Sequence, residues 1–181
     1  MRTITFTLDP KSISRAIREV KDYAQEVEEK TKRLREMVAE RIAWSASNGF
    51  RTAITGDIVG MLFEGKVYKT EPPPNDVTVT VTHNGDVSIV FAEGQQAVFI
   101  EYGAGVYNNG AAGTSPHPWG AQFGYFIGSY GKGHGKRKVW GYVDDARGVV
   151  LTHGTPAAMP LFRGMTEAIN VIDDLAREVF G

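Results

Sequence analysis

Three histidines and three carboxylates are the residues of this 181-residue chain best suited to chemistry: His117, His134 and His153, with Glu101, Asp144 and Asp145. Neutral imidazoles and carboxylates can share a divalent metal, and metal-bound water is a nucleophile near neutral pH. None of the six has the spacing that marks such a site, as two histidines four apart around a glutamate would. Ser115 and Ser129 lack the G-x-S-x-G elbow that exposes a serine nucleophile. The run Gly-Lys-Gly-His-Gly-Lys-Arg-Lys at 131–138 resembles an anion cradle but lacks the helix-opening Lys-Ser or Lys-Thr of a phosphate loop. Cysteine is absent, which excludes thiolate nucleophiles, disulfides and cysteine zinc sites and fits synthesis in a reducing cytoplasm. The expectation is no catalytic residue, no cofactor and no metal.

Binding is the remaining kind of chemistry. Lys132, Lys136, Arg137 and Lys138 fall within seven positions beside Tyr125, Phe126 and Tyr130, so phosphate neutralisation with base stacking can be drawn for 132–138. A soluble loop tip or a contact to an acidic protein fits the same residues, and 20 basic against 21 acidic residues give no global pull on nucleic acid. Trp119, in Pro116-His117-Pro118-Trp119, is either an interface anchor or a locally packed ring, whereas Trp140 reads as core. His83 reads as a solvent-facing strand end. The opening residues 1–8 are too short and polar for a secretory signal, and no apolar run approaches the roughly 20 residues that span a bilayer.

Positioning these residues falls to a small set of elements. Ile4, Phe6 and Leu8 alternate with threonines and predict a short half-buried strand ended by Asp9-Pro10. Residues 12–48 contain no proline or glycine, and Ile13, Ile17, Val20, Ala24, Val27 and their successors recur at steps of three and four, so one long helix is expected, capped by Asp9 or Ser12 and stopped by Asn48-Gly49. At about 1.5 Å per residue it outruns a domain of this size, so part of it should project, bend or pack on another subunit. Its other face carries charges of both signs, as a solvated face does. A short helix is expected over 51–63 and a rigid spacer at the prolines of 72–74.

The valines of 77–81, the Asn84-Gly85 turn and Val87, Ile89 and Phe91 predict a β-hairpin with a type I′ turn. Residues 95–102 form a short helix or strand feeding a glycine-rich excursion. A second hairpin is expected over 138–152, and a helix with Pro160 in its first turn over 160–180. Ten of the 33 residues at 103–135 are glycine, a density that leaves the segment to be ordered by what it touches. The sum is one α+β domain, 1–181: an antiparallel sheet of hairpins packed by helices, a long N-terminal helix over 12–48 that projects, bends or packs on another subunit, and over 76–181 the sheet, the long Gly-rich loop and the C-terminal helix.

Three stretches carry a family resemblance: Phe99-Ile100-Glu101-Tyr102-Gly103-Ala104-Gly105, the hairpin around Val139-Trp140-Gly141-Tyr142, and His153-Gly154-Thr155-Pro156-Ala157-Ala158-Met159-Pro160-Leu161-Phe162. In these the chain resembles the minor structural proteins of the head-tail junction of long-tailed bacteriophages, the HK-type neck or tail-completion family. It departs from the family's pattern at Ala104, where threonine is common, and at Leu161, where phenylalanine is. The resemblance implies a non-enzymatic virion protein made in the host bacterial cytoplasm. It would self-associate into a ring between a head-completion or connector protein and a tail terminator or tail tube protein, with genomic DNA in the lumen, read without sequence specificity, and no membrane. Glu101, Tyr102, Gly103, Gly105, Trp119, Lys132, Lys136, Arg137, Lys138, Pro156 and Pro160 would then lie at assembly surfaces, with the long helix. The alternative is a nucleic-acid or protein-binding adaptor unrelated to virions and using 132–138.

Overall fold

The structure, a computed structural model, describes residues 3–72, 74–105, 115–120, 122–123 and 139–181, with Trp140 described by its backbone. Helix α1 (Pro10–Thr52) dominates it: 43 residues reach about 64 Å at 1.5 Å each. Its start is fixed by Asp9, whose Oδ1 accepts from the amides of Lys11 (3.1 Å) and Ser12 (2.9 Å), with Pro10 at the first helical position, where a missing N–H costs nothing. Asn48-Gly49 does not stop the helix. Gly49 instead lets another element in, since a Cβ there would sit 2.9 Å from Cβ of Pro160.

Two further expectations are corrected. The segment 3–8 pairs with no described strand; Phe6 and Leu8 are exposed, and alternation alone cannot make a strand without a sheet edge to receive it. The segment expected as a short helix over 51–63 contains instead the end of α1 and a strand, β1 (Asp57–Phe63). Gly60 is what the strand needs, because a Cβ there would lie 2.6 Å from the carbonyl oxygen of Tyr68 in β2 (Lys66–Tyr68).

The hairpin of β3 (Thr78–Asn84) and β4 (Val87–Glu93) pairs Asn84 with Val87, so its two-residue loop is Gly85-Asp86 and not Asn84-Gly85. Gly85 has φ 55° and Asp86 is outside the positive-φ region, the pattern of a type II′ turn. After α2 (Ala97–Tyr102) and β5 (Ala104–Gly105) come β6 (Trp140–Asp144), β7 (Gly148–Thr155) and α3 (Pro160–Phe180). The strands form two antiparallel sheets: the isolated β3-β4 hairpin, and a sheet of order β2-β1-β7-β5 in which β6 also pairs with β7. The fold is α+β.

The core lies where α1, the hairpin, α2 and α3 meet. Ala46, Phe50, Ala97 and Ile100 are buried there, with Val79, Ala92 and Leu161 against them. Helix α3 runs antiparallel along the C-terminal half of α1. Gly164 permits the approach, a Cβ there lying 2.8 Å from the Ile42 carbonyl, and Glu167 clasps it by accepting from Ser45 (2.7 Å) and from Arg41. Phe180 reaches Lys30, and beyond that point the first twenty residues of α1 extend past the end of α3. No described helix is long and apolar enough to cross a membrane.

Candidate functional site

Two of the three resemblance-bearing stretches meet at one carboxylate. The turn after α2 places 103–105 directly under β7: Gly105 pairs with Gly154 and Ala104 with Thr155, and a Cβ on Gly154 would fall 2.0 Å from the Ala104 carbonyl oxygen. Gly103, at φ 79°, is pressed against Ala157 in the same way. The carbonyl of Ile100 then accepts from the amide of Ala158 at 2.8 Å. This brings Glu101, one residue on, beneath the start of α3.

Helix α3 has no cap of its own. Met159 occupies its N-cap in the left-handed region (φ 55°) and offers no side-chain acceptor, and Pro160 at the first position has no N–H. Glu101 supplies the missing acceptors from another element: Oε2 takes the Leu161 amide at 2.9 Å and Oε1 the Phe162 amide at 3.0 Å. A carboxylate at a helix start is also favoured by the helix dipole. Its third donor is His117, whose Nε2 lies 3.1 Å from Oε1. The tautomer follows from the other ring nitrogen, because Nδ1 accepts from the Trp119 amide at 3.0 Å and so carries no proton. Nε2 therefore holds the hydrogen and donates to Glu101.

His117 thus ties the loop of 115–120 to α2 and α3. Ser115 Oγ donates to the Tyr102 carbonyl and accepts from the His117 amide at 3.2 Å. Aromatic rings close the site: Tyr102 lies 4.4 Å from the His117 ring centroid, and Trp119 meets Phe162 edge to face at 5.6 Å. With both histidine nitrogens and both Glu101 oxygens engaged, the pair has the geometry of a clamp. Three of the carboxylate's roughly four lone-pair sites are thereby taken up within the subunit.

Next to the clamp opens a cleft of about 400 Å³. It lies between β4 and α3, floored by Ile42 of α1, and walled by Val90 on one side and by Phe162 and Met165 on the other, with Trp119 at its end.

The sequence-derived site residues separate into three groups. Glu101, Gly103 and Pro160 are buried inside the subunit; Tyr102, Gly105 and Pro156 are half-buried, and Trp119 is 40% exposed at the mouth of the cleft. The packing of Trp119 on Phe162 and its exposure make it both a locally packed ring and a surface one. Lys132, Lys136, Arg137 and Lys138 lie outside the described residues, as do His134 and Ser129. His153 does not join Asp144 or Asp145; its Nδ1 lies 3.0 Å from Asp57 Oδ2. Among the described residues no group of three or more His, Asp or Glu is arranged to hold a metal. His83 contacts Ser88 Oγ at 2.8 Å on the exposed hairpin.

Sequence reasoning missed the role of Glu101 as a cap and the part of Ser115. One signal was present: Ala158-Met159-Pro160 opens a strongly periodic helix with no Ser, Thr, Asp or Asn at its start, so the acceptors had to come from elsewhere. Comparison with protein-family models, with curated proteins and with solved structures found no match to this chain.

Proposed function

We propose that this protein is a structural subunit of the neck of a long-tailed bacteriophage, which self-associates into a ring joining the head connector to the tail and surrounding the genome as it passes. The observation that carries the reading is the clamp. The stretch around Glu101 and the stretch 153–162, both bearing the family resemblance, are locked together through the Ile100 carbonyl, the Glu101 carboxylate and the β5-β7 pairing. Buried residues of these motifs act by shaping the surface that carries Trp119 and the cleft. The overhanging half of α1 gives the subunit a second surface far from the first, and a ring needs two different surfaces on each subunit.

The experiment is the mass of the purified protein across a concentration series, alone and with a head-completion protein and a tail terminator or tube protein. A discrete high-order ring, formed alone or on adding a partner, is the expected outcome. A concentration-independent monomer that ignores those proteins overturns the reading. Saturable, salt-sensitive binding of nucleic acid by such a monomer would favour an adaptor working through 132–138 instead.

A further inference from the structure

We infer that the overhanging N-terminal half of α1 docks into the β4-α3 cleft of a second copy of this chain. This deepens the neck reading by naming the contact between ring subunits, and rests on it only for the ring's biological setting.

The donor surface is the apolar stripe of the overhang. Ile13, Ile17 and Val20 are 36%, 52% and 54% exposed, at helical spacing i, i+4 and i+7, on the part of α1 that extends past the end of α3. That spacing is the one by which an amphipathic helix anchors in an apolar groove. The acceptor surface is the cleft, whose α3 wall continues past Met165 through Ile169 and Ile172, four and seven residues on and 58% and 41% exposed. The overhang cannot reach its own subunit's cleft, because α1 is one continuous helix and its first twenty residues point away beyond the end of α3.

Charge selects the occupant and its direction. The overhang begins with Lys11, Arg15, Arg18 and Lys21 against Glu19 and Asp22. The last turns of α3 carry Asp173, Asp174 and Glu178 against Arg177, which is already paired with Asp174 at 2.8 Å. Opposite charges face each other if the incoming helix runs antiparallel to α3, which also sets its N-terminal dipole beside the α3 C-terminus. Each subunit then gives a helix at one end and takes one at the other. Such a contact is heterologous and propagates until it closes.

Sedimentation of the full chain over a concentration series tests this with two variants, Ile17→Glu in the overhang and Ile169→Glu in the cleft wall, both at exposed positions so that folding is spared. Each alone is expected to raise the concentration for half-association by about tenfold or more. Mixed, they should form a dimer that grows no further, since the intact overhang of one fits the intact cleft of the other. A wild-type chain monomeric at every concentration, an Ile169→Glu variant that assembles like wild type, or a mixture that stays monomeric would each overturn the inference. Failure of the neck reading is separable: a chain that associates through this contact yet ignores head and tail proteins keeps the docking and loses the neck. Conversely, Ile17→Glu that associates normally loses the docking alone.

Discussion

Glu101 receives N–H groups from two directions, two from the opening turn of α3 and one from His117, while itself only 4% exposed. Its removal leaves donors in a site with little water to replace it. Glu101→Ala should therefore lower the unfolding free energy by about 2–4 kcal/mol, as expected when buried donors lose a charged acceptor. Glu101→Gln keeps one oxygen but turns an NH2 toward one of the donors, so a smaller loss is expected. Denaturant titration of both variants checks the order, and equal stability of Glu101→Ala and wild type would exclude the clamp. Glu101 stood out in the sequence as part of a motif, but its partners are 16, 60 and 61 residues away, and no local pattern encodes contacts at that distance.

Titration carries the same logic to the surface. The Glu167 carboxyl is held below the usual range by the Ser45 hydroxyl and then by Arg41, and Asp9 by the Thr7 hydroxyl and the Ser12 amide. Because both folded values lie below the unfolded ones, their contribution is present above about pH 4 and lost as pH falls through the folded values. The Glu167 and Arg41 side chains are 39% and 40% exposed, so the effect is modest and screened by salt. Glu167→Gln should flatten the acid limb of a stability-versus-pH curve measured at low salt, and leave the neutral limb the same shape. An unchanged acid limb would show that the clasp between α1 and α3 does not depend on this charge.

At the scale of elements, helix packing turns on two glycines. Gly164 is interior to α3, where alanine would ordinarily be preferred by about 1 kcal/mol. Here a Cβ would meet the Ile42 carbonyl at 2.8 Å and the Ala46 amide at 3.3 Å, both backbone atoms that cannot turn aside. The clash decides the sign: Gly164→Ala should destabilise by roughly 1–3 kcal/mol, and Gly164→Val by more, in thermal or denaturant unfolding. Gain of stability in Gly164→Ala would mean that the two helices are further apart. Strong periodicity explains which elements were legible. The stripes of α1 and α3, the Val77 to Phe91 alternation and the Asp144 to Arg147 turn each carry their own signal within a few residues. Strand β1 does not: its pairing with β7 shifts register between Asp57 and Ile58 and again between Ile58 and Gly60, so Ile58, Val59, Leu62 and Phe63 lose the two-residue period and, with Ile54 ahead of the strand, imitate a helical one. Gly49 misled for a related reason, since a glycine near a helix end looks the same whether it stops the helix or admits a neighbour.

For the whole molecule, the question is what keeps the first twenty residues of α1 helical when they extend past the end of α3 with Ile17 and Val20 more than half exposed. An isolated helix of that length is marginal in water, because its stability normally comes from burying an apolar face. The Asp9 cap and ion pairs such as Lys30 with Glu26 (3.1 Å) supply only small increments. The overhang should then fray in the free subunit and become protected once its stripe is covered, while α1 around Ala46 and Phe50, both at or below 1% exposure, holds at all concentrations. Amide hydrogen exchange at two protein concentrations, one below and one above self-association, separates the cases. Protection of 13–24 that rises with concentration, beside unchanged protection at 46–50 and 97–100, is the expected outcome. Protection of the overhang that is high in the dilute monomer would mean that local interactions suffice to hold it, and folding on assembly would have no part in how the subunit joins its neighbour.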